Sequence, residues 1–97
     1  MILSNSSIVV AAGDQISSDL AGEIVMLNLK NGSYYGLDGV GARVWSLIQA
    51  PQPVDAVRDA IVSEYAVDPD DCESDLLVLL AELAAAELIE VCDAASA

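Results

Sequence analysis

The chain contains no histidine and no phenylalanine, and only three lysines and arginines stand against sixteen aspartates and glutamates. The lack of histidine and the scarcity of basic residues each close a class of function. Without histidine the chain lacks the side chain used most often for acid–base catalysis and metal ligation, so neither Cys72 nor any serine has a base to activate it. A formal net charge of −13 argues against nucleic acid, because phosphate binding is driven by lysine and arginine. The cysteines, Cys72 and Cys92, fit no metal-ligand spacing. With no basic region ahead of the apolar stretch near the N-terminus, no cleaved signal is expected, so the thiols are read as reduced and the protein as cytoplasmic. No run approaches the roughly 20 apolar residues of a membrane span. Gly36, Gly39 and Gly41 do not reproduce a phosphate-loop spacing. An enzyme, a cofactor, a bound metal and a membrane partner are therefore not expected.

What is present is hydrophobic and lopsided. The 97 residues are 55% hydrophobic, which suits one small domain with a modest core. That domain is read as residues 1–92, with 93–97 as a disordered tail. Residues 1–50 hold four acids (Asp14, Asp19, Glu23, Asp38) and two bases (Lys30, Arg43), a net of −2. Residues 51–97 hold twelve acids and only Arg58, a net of −11. Such a half is either the solvated face of helices or a surface turned to a basic partner.

The first third reads as strands. Residues 7–12 form a β-branched run stopped by Gly13 and Asp14, and residues 23–30 and 33–37 flank Asn31 and Gly32. Asn-Gly between apolar runs is the strongest local hairpin signal, because a type I′ turn needs positive φ at both central residues. That turn predicts the pairs Lys30–Ser33, Leu29–Tyr34, Asn28–Tyr35, Leu27–Gly36 and Met26–Leu37. Directly paired residues share a face, so one face carries Val25, Leu27, Leu29 and Tyr34 and the other Ile24, Met26, Tyr35 and Leu37. Both are apolar, which is unusual for an antiparallel sheet with one solvated side.

The remainder reads as helices. Asp38 is placed as the N-cap of a first helix to about Ala50, with Pro51 and Pro53 as the stop. A second helix spans about Val54–Tyr65, burying Val54, Val57 and Ile61. Asp68 as N-cap and Pro69 at the first position open a third, running to about Glu87, and residues 88–91 form a short last strand. Leu76, Leu77, Val78, Leu79 and Leu80 are consecutive, and at about 100° per residue they surround the helix, where a surface helix shows one apolar stripe. Either the domain encloses this helix or part of it lines a groove.

Three strands followed by three helices predict an α+β, winged-helix-like domain with a three-stranded antiparallel sheet. DNA binding is set aside because the third helix begins with Asp68, Asp70, Asp71, Glu73 and Asp75. The strand Ser33–Leu37 carries no charge and no proline, so as a sheet edge it invites strand addition.

Residues 25–38, then Gly41 to Ile48, then 67–70, 75–83 and 87–91, resemble the PqqD-like family of peptide-recognition elements, over about residues 7–92. Within that family the chain is most similar to the free-standing leader-binding proteins of lasso-peptide biosynthesis, which share its size and a hairpin like Gly32-Ser33-Tyr34. The resemblance implies that a leader segment of a ribosomally made precursor adds as a strand beside Ser33, Tyr34, Tyr35, Gly36 and Leu37, in a cleft against the third helix. It also implies that the bound precursor is handed to a leader peptidase or another modifying enzyme. The helical phase puts Cys72, Asp75, Leu76, Leu79, Glu82 and Leu83 on the opposite wall. The alternatives are an acidic carrier protein, for which Ser74-Asp75-Leu76 has the wrong order, and a winged-helix module that binds other proteins.

Overall fold

The computed structural model describes residues 3, 4 and 6–93. The elements run β1 (Ser7–Ala11), β2 (Gln15–Leu20), β3 (Glu23–Asn28), β4 (Tyr34–Leu37), α1 (Gly39–Leu47), β5 (Gln52–Pro53), α2 (Val54–Tyr65), α3 (Pro69–Ala85) and β6 (Ile89–Asp93). They form two three-stranded antiparallel sheets, β5-β1-β6 and β2-β3-β4, with three helices. The class is α+β, as the sequence predicts, but there are two sheets where one is expected, and their composition differs.

The expected meander exists with a different first strand. β2, Gln15-Ile-Ser-Ser-Asp-Leu20, carries little apolar pattern, and its Ile16 and Leu20 are 54% and 62% exposed. Pairing makes it a strand: Ala21 and Gly22, at φ 57° and 90°, form the positive-φ turn that a tight hairpin needs. β2 occupies one edge of β3, and β1 pairs instead with β6, Val9 opposite Val91, and with β5, Ile8 opposite Pro53. β6 also takes Asp93, opposite Ser7, so the predicted tail loses its first residue to a strand; 94–97 lie outside the described residues.

The β3–β4 hairpin closes two residues earlier than Asn-Gly predicts, with Leu27 opposite Tyr34, Met26 opposite Tyr35, Val25 opposite Gly36 and Ile24 opposite Leu37. Residues 29–33 are loop. Asn28 causes the change. Its Oδ1 accepts from the Lys30 and Asn31 main-chain N–H groups at 2.8 and 3.3 Å, and Asn31 Oδ1 accepts from Ser33 N–H at 2.9 Å. These asparagine turns compete with the two-residue loop and win. A shift of two preserves which face each side chain takes. Met26 and Leu37 are therefore buried, whereas Leu27 and Tyr34 are exposed, matching the predicted division of faces.

The helices stand close to their predicted positions. α2 has the predicted limits, with Val54, Val57 and Ile61 buried. α1 ends at Leu47, short of Ala50, and Asp38 occupies the cap position without a side-chain capping bond. Asp68 does cap α3, its Oδ1 accepting from the N–H groups of Asp70 and Asp71 at 2.9 and 3.2 Å. α3 closes with Leu88 N–H on the Leu83 carbonyl and Glu87 N–H on the Ala84 carbonyl, both at 3.0 Å. Glu87 has φ 58° in the position where such a C-terminal turn usually places glycine.

The core gathers Val9, Met26, Leu37, Val44, Trp45, Ile48, Leu80, Leu83 and Leu88 with the buried side of α2. α3 is not enclosed: Leu76, Leu80 and Leu83 are buried, but Val78 is 61% exposed and Leu79 is half-buried. Two arginines join the helices on the surface. Arg43 of α1 holds Glu64 of α2 through two bonds at 2.8 and 2.9 Å, and Arg58 of α2 reaches Glu73 of α3 at 2.9 Å.

Candidate functional site

β4 lies at one end of the order β2-β3-β4, so one side of its backbone is unpaired. The bond from Asn28 N–H to the Ser33 carbonyl, 2.7 Å, sets its phase. In an antiparallel ladder, residues alternate between bonding the neighbour and pointing away. Ser33, Tyr35 and Leu37 therefore turn their main-chain groups toward β3, and Tyr34 and Gly36 turn theirs toward the open edge. Among the described residues no strand pairs with this edge, and Tyr34–Leu37 itself contains neither charge nor proline. The opposite edge, β2, carries Asp19, one of the devices that discourage pairing.

The two tyrosines part company. Tyr35 lies on the inner face, half-buried against the core, and its hydroxyl donates to Glu82 of α3. It thereby spans the space between the β4 edge and α3. Tyr34 points the other way and is 75% exposed. It continues the cross-strand row Ile16, Leu27, Tyr34, an apolar outer face open to solvent. Of the β4 residues predicted for the site, Tyr34 and Gly36 offer main chain, Tyr35 offers its side chain, Leu37 belongs to the core, and Ser33 is loop engaged with Asn28 and Asn31.

A groove of about 470 Å³ opens between α1, α2 and α3. Four of the predicted α3 residues, Cys72, Asp75, Leu76 and Leu79, line it. Glu82 is not in its lining but holds Tyr35. Leu83 is fully buried and offers no surface to a ligand, because its position on the wheel turns into the core. The rest of the lining was missed in the sequence: Val40 and Val44 of α1, Ile61 of α2, then Val67, Asp68 and Asp71. The signal for Val40 and Val44 was their i, i+4 spacing, which equally marks an ordinary core stripe.

The electrostatics of the site are acidic. Burial pushes the Cys72 thiol above its ordinary value, the Asp75 carboxylate adds to this, and Arg58 partly opposes it. The hydrogen bond to Glu82 raises the Tyr35 phenol, reinforced by burial and by the Glu82 charge. Cys72 and Cys92 are both free thiols. Among the described residues no group of histidine, cysteine, aspartate or glutamate is arranged to hold a metal ion, and no helix is long and apolar enough to cross a membrane.

Fold and site together define a small α+β domain with an open strand edge, tied to α3 through Tyr35 and Glu82, and an apolar, acid-rimmed groove among its helices. Residues 23–89 match the family of coenzyme PQQ synthesis protein D (PqqD), and the chain belongs to that family. The solved structure of TbiB1 in complex with the TbiA(beta) leader peptide is similar to it at 40% identity and a TM-score of 0.78, covering 84% of this chain and 94% of that one. Lasso peptide synthetase B1 complexed with the leader peptide shares the fold, at 20% identity and a TM-score of 0.68, over 84% of this chain and 96% of that one. No curated protein matches the chain.

Proposed function

We propose that this domain binds the leader segment of a ribosomally made precursor peptide by strand addition to β4, and presents it to a separate processing enzyme in lasso-peptide biosynthesis. The observation that carries the reading is the open β4 edge, with the Tyr34 and Gly36 main-chain groups facing outward and Tyr35 reaching Glu82 of α3. Main-chain bonds supply affinity in this mode, and pockets for alternate side chains supply specificity. The similarity to TbiB1, held with a leader peptide, supports the same reading. The domain's part is scaffolding: holding the leader raises the effective concentration of the attached core peptide at a docked enzyme. The carrier-protein alternative finds no support, since Ser74 lies inside α3 and not at its start.

Two proline variants test the edge. Gly36→Pro removes an outward N–H and leaves the β3 ladder intact, a position where an edge strand tolerates proline. A Cβ there meets only the flexible Glu23 carboxylate, at 3.9 Å. Tyr35→Pro removes an N–H bonded to β3 and should lower stability. The expected result by calorimetric titration with the precursor leader is that Gly36→Pro stays folded and loses binding by tenfold or more (about 1.4 kcal/mol). Leu79→Asp, in the groove, should weaken binding likewise. Unchanged affinity in a folded Gly36→Pro protein would sink the proposal.

A further inference from the structure

We infer that the peptide taken by this domain carries a lysine or arginine next to the apolar side chain that enters the α1–α3 groove; this rests on the strand-addition reading above. The groove has two chemistries. Val44, Ile61 and Leu76 are buried apolar residues in its lining, and Val40 and Val67 remain 40% and 39% exposed, a surface suited to one aliphatic or aromatic side chain. Asp68, Asp71 and Asp75 share the same lining, and all three are exposed.

No cation of the chain meets these acids among the described residues. Arg43 is committed to Glu64, and Arg58 to Asp59 and Glu73. Lys30 lines a different cavity, with Asp14, Glu87 and Glu90. Two of the three acids have a use within the helix. Asp68 caps it, and Asp71 in the first turn complements the helix dipole. Asp75, one turn further on, has neither role and makes no side-chain hydrogen bond or ion pair among the described residues. It also stands four residues from Asp71, a like-charge spacing that destabilises a helix.

A neutral peptide laid over this groove would desolvate the carboxylates and leave their repulsion in place. A lysine or arginine can lay its aliphatic stem on Val67 or Leu79 and bring its charge to the rim. The same rim would reject a peptide with an acid in that position, so the charge selects against wrong partners as much as it attracts the right one.

The test uses the whole protein and a display library of random linear peptides, with selected peptides synthesised and titrated. The expected enrichment is an apolar residue with lysine or arginine beside it. Replacing that cation by alanine, or making Asp71→Asn with Asp75→Asn, should weaken binding roughly tenfold and flatten its salt dependence. The two asparagine substitutions keep side-chain size and relieve repulsion, so the double variant retains its fold. Selected peptides that lose binding in Gly36→Pro but show no preference for a cation, and no response to the double variant, overturn this inference and leave strand addition standing. Selected peptides indifferent to Gly36→Pro overturn both.

Discussion

The buried carboxamide of Asn28 donates to the main-chain carbonyl of Glu87 at 2.7 Å, fastening the β3–β4 loop to the turn that ends α3. The same Nδ2 reaches the Ala86 carbonyl at 3.3 Å, while Oδ1 takes the N–H groups of Lys30 and Asn31. One side chain that is 1% exposed thus sets the hairpin register and anchors the hairpin to the helical layer.

Replacing Asn28 with leucine leaves two loop N–H groups and two carbonyls without these partners. Each unsatisfied buried group costs about 1–3 kcal/mol, some regain water, and the net expected loss is about 2–4 kcal/mol by urea denaturation. Asn28→Asp keeps the acceptor but sets a carboxylate against two carbonyl oxygens. Its loss should deepen as pH rises through the carboxylate range. A stability within 0.5 kcal/mol of wild type (roughly the scatter of a neutral surface change) would remove Asn28 from this role.

Ala21 holds φ 57° in the β2–β3 turn, where an L-residue is disfavoured by roughly 1–2 kcal/mol and asparagine by less. Ala21→Asn, giving the Asn-Gly pair that this turn prefers, should stabilise the protein by about 0.5–1 kcal/mol. The midpoint of urea denaturation checks it, with an unchanged slope showing that compactness is unaltered.

Tyr35 should report the closure between β4 and α3 through pH. Its phenol is raised above the ordinary value of 10.0, first by the hydrogen bond to Glu82. A raised value in the folded state means the protonated form is favoured there, so the associated stability is complete below the ordinary value and is lost as pH rises through the folded one. Ultraviolet titration should therefore show a tyrosinate that forms late, absent in Tyr35→Phe. The stability difference between wild type and Tyr35→Phe should shrink across the same alkaline window. If it is constant with pH, the hydroxyl bond contributes nothing to the fold.

How much of this was legible in the chain follows the range of the interactions. Period-two alternation assigned Met26 and Leu37 to one face and Leu27 and Tyr34 to the other, and an even register shift could not disturb that. The Asp68-Pro69 helix start and the buried stripe of α2 are likewise written in neighbouring residues. So is the charge: Asp71 and Asp75 share one side of α3 by spacing alone. The β3–β4 register and the partner of β1 are different, because each depends on chain far away in sequence. Asn28 bonds residues 58 and 59 positions away, and β1 pairs with the last strand. The polar β2 became a strand only because β3 offered an edge. Periodicity placed both tyrosines on the edge strand, but only packing joined Tyr35 to Glu82. It also sent Leu83 into the core and brought Val40 and Val67 to a groove with α3. Sequence spacing determines which way a side chain faces along its own element; what lies opposite is decided when distant elements compete for the same surface.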